Sequence, residues 1–168
     1  VRGVDGGVYR VAVSNVVGSV VSRDAAVEVG SGVEIVKQPE AVEVNAGGAV
    51  SLKVEAKGSG TLSYQWRKDG REILGEVGRS AELKASRVGV GDEGMYDCVV
   101  ENYALVGGER LTIGREVTKA VRMSVNRPVV VKSEPMSRGV YVGESVWFEV
   151  GAEGSGLEVQ WTRQVNGK

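Results

Sequence analysis

Apolar and polar residues alternate along much of the chain. Between Val50 and Ala56 every second residue is apolar, and the intervening Ser51, Lys53 and Glu55 are polar. The same alternation recurs in further runs: Leu62, Tyr64 and Trp66; Tyr96, Cys98 and Val100; and Val121, Met123 and Val125. A period of two residues predicts strands with one buried and one solvated face. Turn-forming stretches such as Lys68-Asp69-Gly70 separate the runs, so the central part is predicted to form about seven short strands in a two-sheet antiparallel sandwich.

An internal repeat organises the whole chain. Residues 47–60 read GGAVSLKVEAKGSG, and residues 143–156, which lie 96 positions further on, read GESVWFEVGAEGSG. A second pair is only 87 positions apart: residues 5–15 read DGGVYRVAVSN and residues 92–102 read DEGMYDCVVEN. The difference of nine residues predicts an insertion in the later copy, at LVGGERLTI, residues 105–113.

The repeat divides the chain into three parts. Residues 1–30 are expected to be the C-terminal strands of a truncated domain, residues 34–126 a complete domain, and residues 128–168 the N-terminal strands of another truncated domain. This is the organisation expected of a fragment of a longer protein. The joints, Gly30-Ser31-Gly32 and Asn126-Arg127-Pro128, are short, which predicts a semi-stiff rod rather than flexibly tethered domains.

Composition argues against several functional classes. The formal net charge is -1 and no Lys/Arg cluster occurs, so the chain lacks the basic face that nucleic-acid binding requires. No apolar run approaches the roughly 18 residues of a membrane span. With one cysteine and no histidine, neither an internal disulfide nor a four-ligand zinc site can form. The acidic residues are mostly isolated and no nucleophile or phosphate-loop motif occurs, so we expect no enzyme activity, no cofactor and no metal site.

The motifs of residues 34–126 carry a family resemblance. The pattern runs Gly48-x-Val50-x-Leu52-x-Val54, then Trp66, then Leu83-x-Ala85-x-x-Val88-x-x-x-Asp92-x-Gly94-x-Tyr96-x-Cys98, and it resembles an intermediate-set immunoglobulin domain. The resemblance implies that Val54 and Cys98 occupy the two inter-sheet cysteine positions and that Trp66 packs against them. It also implies that Tyr96 forms the tyrosine corner.

The same frame recurs in the terminal parts, so the resemblance yields one set of structural residues. The expected core positions are Val54, Trp66, Leu83, Tyr96 and Cys98, with Tyr9, Val11, Val150 and Trp161 as their repeats. The expected turn and corner positions are Asp92 and Gly94, repeated as Asp5 and Gly7. Cys98 is expected to be a buried thiol that acts as a small apolar side chain. The alternative, a reactive or cross-linking thiol, requires exposure and a nearby cation.

Two segments have sequences that look most like tandem immunoglobulin-like repeats of large bacterial secreted or cell-surface proteins. They are GTLSYQWRKDG at residues 60–70 and YRVAVSN at residues 9–15. That resemblance implies an extracellular or cell-surface spacer or adhesion stalk whose partners are neighbouring immunoglobulin-like domains. One alternative is a module that recognises a protein or glycan through the loop 105–113, with Leu105, Glu109, Arg110 and Leu111 as candidate binding residues. Another is the accessory stalk of a secreted carbohydrate-active enzyme.

Overall fold

The computed structural model describes residues 5–164, and within that range it contains β-strands and short 3₁₀ turns but no α-helix. This confirms the predicted all-β class. The first part is one antiparallel hairpin in which β1 pairs with β4 and β2 pairs with β3. Its strands are β1 (Gly7–Tyr9), β2 (Ala12–Ser14), β3 (Ser19–Val21) and β4 (Ala25–Val27).

The central part contains ten strands and two 3₁₀ helices, Glu76–Arg79 and Val90–Asp92, among the described residues. The strands are β5 (Glu34–Lys37), β6 (Val42–Asn45), β7 (Val50–Lys53), β8 (Glu55–Lys57), β9 (Thr61–Lys68), β10 (Arg71–Glu72), β11 (Glu82–Ala85), β12 (Gly94–Val106), β13 (Glu109–Val117) and β14 (Val121–Asn126).

Two layers of strands enclose the core of this central domain. The larger sheet has the order β10-β9-β12-β14-β6, and β13 also pairs with β12. Within it β6 runs parallel to β14, and the other pairs are antiparallel. The antiparallel pair β7–β11 supplies side chains from the opposite layer, and β5 pairs with β8. The result is the two-sheet sandwich expected from the alternating pattern.

The core of the sandwich is a single cluster of buried side chains. It contains Val50, Leu52, Val54, Trp66, Leu83, Val88, Tyr96, Cys98, Val100, Met123 and Val125. Trp66 and Cys98 are fully buried and stand opposite each other on β9 and β12, while Val54 follows β7. Fully burying one aliphatic or aromatic side chain contributes about 1.5–3 kcal/mol, so apolar contact alone can hold the two layers together.

Strand pairing in the terminal parts follows the repeat seen in the sequence. The last part contains β15 (Val130–Ser133) and β16 (Gly151–Glu153). Val130 stands opposite Glu153, 96 residues after the pair Glu34 and Lys57. Likewise, the pair Gly7 and Val27 corresponds to Gly94 and Met123 of the central domain. Positions that match in sequence therefore adopt the same pairing register.

The repeated core positions of the terminal parts are not buried, which corrects the expectation for them. Tyr9 is 51% exposed, Val11 58% and Trp161 50%, and Val150 is only partly buried. Within residues 5–164 the first hairpin and the pair β15–β16 each have an apolar face that no second layer covers, so their inward positions are in contact with water. The same residue types are enclosed only in the central domain, where both layers are present.

Replacing Cys98 with valine is expected to change the free energy of unfolding by less than about 1.5 kcal/mol, because a volume-conserving swap at an apolar site is well tolerated. The thiol is fully buried, and burial raises its pKa to about 12, so it stays protonated in the folded domain. Urea denaturation of the two proteins measures the change. A loss above about 2 kcal/mol would show that the sulfur does more than fill space.

Candidate functional site

No cluster of metal-ligating side chains marks a site within residues 5–164. No group of three or more His, Cys, Asp or Glu residues in that range is placed to hold a metal ion. In the same range no helix is long and apolar enough to cross a membrane. The features that remain are two tyrosine corners, a long hairpin beside a polar groove, and the two joints between the repeats.

The aspartate and glycine positions singled out in the sequence form the tyrosine corners. Tyr96 donates a hydrogen bond from Oη to the backbone oxygen of Asp92 at 2.7 Å, and Tyr9 donates one to Asp5 at the same distance. The carboxylate of Asp92 in turn accepts a hydrogen bond from the backbone N–H of Gly89 at 2.8 Å. Gly94 and Gly7 begin the strands that follow, β12 and β1. These residues shape the entry to a strand.

The insertion at 105–113 forms the tip of a β-hairpin. Strands β12 and β13 are joined by Gly107 and Gly108, whose φ angles are 60° and 86°. Two successive residues with positive φ are the signature of the tight turn that best fits twisted strands, and glycine adopts it without strain. The segment is therefore a backbone-paired ribbon rather than an irregular loop.

The four candidate binding residues of this hairpin do not form one surface. Leu105 stands opposite Arg110 in the pairing register, whereas Glu109 and Leu111 alternate with Arg110 along β13 and so face the other side. Leu105 is 70% exposed and Leu111 is partly buried. The hairpin presents two small faces of different character instead of a single recognition patch.

Arg110 folds back onto the sheet rather than projecting from the tip. Its Nη2 donates hydrogen bonds of 2.8 Å to Ser63 Oγ and to Glu101 Oε2, and its guanidinium lies 3.9 Å from the centre of the Tyr103 ring. This combines an ion pair with a cation–π contact. Arg115 also approaches Glu101, at 3.6 Å.

Beneath Arg110 lies an open groove of about 480 Å³ on the outer face of the larger sheet. Its lining is mostly polar and includes Ser63, Gln65, Arg67 and Arg79. Arg67 forms a two-pronged ion pair with Asp97, at 2.6 and 2.9 Å, which raises the pKa of the guanidinium. The charges of Arg67 and Arg110 are thus paired within the domain, and Tyr64 and Val99 are the apolar side chains of the lining.

The first joint is bound tightly by the central domain. Asn102 is fully buried; its Nδ2 donates to the backbone oxygen of Ser31 at 2.7 Å, and its Oδ1 accepts from the backbone N–H of Gly60 at 2.8 Å. Ser59 Oγ donates to the same Ser31 oxygen at 3.2 Å. One carbonyl group of the joint therefore receives two donors from the domain that follows it.

The second joint is held at the equivalent position. The backbone N–H of Arg127 donates to Ser155 Oγ at 3.0 Å, and the backbone N–H of Ser155 donates to the oxygen of Arg127 at 3.2 Å. Arg127 lies 96 residues after Ser31, and Ser155 lies 96 residues after Ser59. The Gly-Ser-Gly turns that contain Ser59 and Ser155 thus each contact the joint that precedes their repeat.

The sequence of the chain is similar to immunoglobulin domains of known proteins. The sequence profile of the family described as immunoglobulin domain matches residues 34–102. The chain contains an immunoglobulin domain region. The chain is also 30% identical over 154 residues to roundabout homolog 1 of Rattus norvegicus. That alignment covers 90% of this chain and 9% of roundabout homolog 1. It is 31% identical over 130 residues to hemicentin-2 of Mus musculus. That alignment covers 74% of this chain and 2% of hemicentin-2.

A solved structure shares the fold of the immunoglobulin region and of much of the remaining chain. The I-band fragment I67-I69 from titin aligns over 77% of this chain and 44% of its own, with a TM-score of 0.57 and 22% identity. The relatives above are animal proteins, and these matches give no support to the expected similarity to bacterial repeats. The chain spans less than a tenth of the length of either sequence relative.

Asn102 of the immunoglobulin region is the residue whose role the sequence analysis missed. The only signal was its recurrence as Asn15 at the end of the repeated frame. The two asparagines act differently, since Asn15 Oδ1 accepts from the backbone N–H groups of Val17 and Gly18 within its own hairpin turn. Recurrence marked the position, but only the fold shows that Asn102 reaches the joint 71 residues away.

Proposed function

We propose that the chain is a non-catalytic segment of immunoglobulin-like repeats that acts as an extracellular structural spacer or adhesion stalk within a larger surface or secreted protein. The observation that carries the proposal is the hydrogen bonding of each joint to the repeat that follows it, at Ser31 and at Arg127. The extracellular placement is supported by the sequence relatives roundabout homolog 1 and hemicentin-2, which are extracellular or cell-surface proteins.

A spacer must transmit orientation from one domain to the next. A flexible linker lets neighbouring domains move independently and shortens the average span. A short joint whose backbone is bound to one domain has less of that freedom, because the bound peptide group can move away from the domain only if those hydrogen bonds break. Two donors on one carbonyl, as at Ser31, make such breakage costly.

The surface chemistry of the immunoglobulin region supports a spacer over a recognition module. The candidate residues of the hairpin are divided between two faces, and Arg110 is engaged by Ser63 and Glu101. A single exposed leucine such as Leu105 is ordinary on a soluble domain and does not by itself mark a binding site.

A distance measurement between spin labels tests the proposal on the whole chain. The labels are attached to cysteines introduced by Ser19→Cys on β3 and Arg71→Cys on β10, both exposed positions, in a Cys98→Val background. A held joint is expected to give one narrow distance distribution. A matched pair, Arg71→Cys with Glu43→Cys on the exposed outer strands β10 and β6 of the larger sheet, reports the width that the closed central domain gives. A distribution much broader than that reference would overturn the spacer function.

A further inference from the structure

The joint touches the base of the long hairpin as well as Asn102. A methyl group at Gly114 of β13 would lie 2.7 Å from Gly32 Cα and 2.9 Å from the backbone nitrogen of Val33. A methyl group at Gly30 would lie 3.3 Å from Ile113 Cγ2 and 2.1 Å from Ser59 Oγ. Separations under 3 Å leave no room for a side chain, so the joint passes against β13 at backbone contact distance.

An irregularity in the hairpin places Ile113 at this contact. Asn102 stands opposite Gly114 and Tyr103 opposite Thr112, so Ile113 is the extra residue of a β-bulge. A bulge interrupts the alternation of a strand and redirects the side chain at that point. Ile113 is the last residue of the nine-residue insertion and is partly buried. The insertion therefore ends at the residue that meets Gly30.

We infer that the inserted hairpin is a brace for the preceding repeat, and that Ser59, Asn102, Ile113 and Gly114 form the surface on which the preceding repeat is seated. This inference rests on the proposed spacer function and adds the element that sets the orientation. The partner of the hairpin is the preceding repeat of the same chain, entering through Gly30-Ser31-Gly32, and not an external ligand.

The brace works through contacts on either side of one anchored peptide group. Asn102 and Ser59 hold the carbonyl of Ser31. Before that group Gly30 lies beside Ile113, close enough that an added methyl group would touch it, and after it Gly32 lies against Gly114. A hydrogen bond to one carbonyl alone leaves rotation about the neighbouring bonds open, whereas contacts both before and after it restrict that rotation. Because the first repeat lacks the insertion, the shorter hairpin β2–β3 has no equivalent of this base.

Two substitutions at the base of the hairpin test the brace with the same spin-label pair. Gly114→Ala adds a methyl group against Gly32 without removing a hydrogen bond, and Gly114 has no positive φ that would strain an alanine. We expect the mean distance between the labels to shift. Ile113→Ala removes the contact with Gly30, and we expect the narrow distribution to be lost. Thr112→Ala, exposed on the same strand, is the matched control and should change neither.

The outcomes separate the brace from the spacer function. A broad distribution in the chain without these substitutions overturns both. A narrow distribution that Gly114→Ala and Ile113→Ala leave unchanged overturns the brace alone and leaves the spacer standing. A shift with Gly114→Ala or a loss with Ile113→Ala, without an effect of Thr112→Ala, supports the brace. Circular dichroism of each variant verifies that the central domain remains folded, and two variants of opposite volume change guard against one failing to fold.

Discussion

Replacing Trp66 with alanine is expected to lower the free energy of unfolding of the central domain by about 3–5 kcal/mol, the cost typical of removing a large aromatic side chain from a core. Trp66 is fully buried, between the two layers of strands. Its indole N–H donates to the backbone oxygen of Ser80 at 2.8 Å, so the substitution also leaves that oxygen without its partner. A single domain has about 5–15 kcal/mol of stability in total, so the loss removes from about a fifth to all of that stability.

Trp161 provides the matched control for this prediction. It occupies the repeated position in the last part of the chain, but half of its surface is in contact with water and its ring lies 6.1 Å from that of Phe148. We expect Trp161→Ala to change the stability of the central domain by less than about 0.5 kcal/mol, as for surface positions. Urea denaturation followed by far-ultraviolet circular dichroism measures both variants. Equal losses for the two tryptophans would contradict the assignment of a single closed core.

Raising the pH from about 9 to about 12 is expected to lower the free energy of unfolding of the central domain. Burial raises the pKa of Tyr96 from 10.0 to about 12 and that of Cys98 from 9.0 to about 12. The nearby carboxylates of Asp92 and Asp69 further oppose ionisation of Tyr96. Both groups are neutral when protonated, so the folded chain retains protons that the unfolded chain releases. Their contribution to stability is complete below pH 9 and is lost as the pH rises toward 12.

The urea midpoint measured at a series of pH values between about 7 and 11 follows this loss directly. Cys98→Val removes the thiol ionisation and is expected to delay the fall in stability, so that it begins nearer pH 10, where the unfolded tyrosine titrates. A midpoint that stays constant up to pH 11 in the unsubstituted chain would show that these groups ionise without cost in the folded domain.

The sequence allowed the interior of the central domain to be predicted, because burial there follows alternation along each strand. Leu52, Trp66 and Cys98 each occupy an apolar position of an alternating run, and each of their strands faces the opposite layer of the sandwich. The same pattern at Val11 and Trp161 did not predict burial. Alternation shows which face of a strand is apolar, but burial also requires a second layer over that face.

The contacts of the joint were beyond prediction for a different reason. The length of the insertion followed from two offsets in the repeat, but the bulge at Ile113 depends on which residues of β12 and β13 stand opposite each other. The hydrogen bond from Asn102 to Ser31 joins residues far apart in sequence. Neither composition nor periodicity carries information about such a pairing, so only the fold shows that Ile113, the last residue of the insertion, lies beside Gly30.

The parallel pairing of β6 with β14 has a mechanical consequence. These strands lie near the two ends of the central domain, and their register joins Val42 to Met123 and Asn45 to Asn126. Tension along the array pulls β6 toward the preceding domain and β14 toward the following one, so the two strands are loaded in shear. The backbone pairing of four residue pairs must then break at the same time rather than one after another. The β6–β14 pair is therefore the part of the domain that resists stretching.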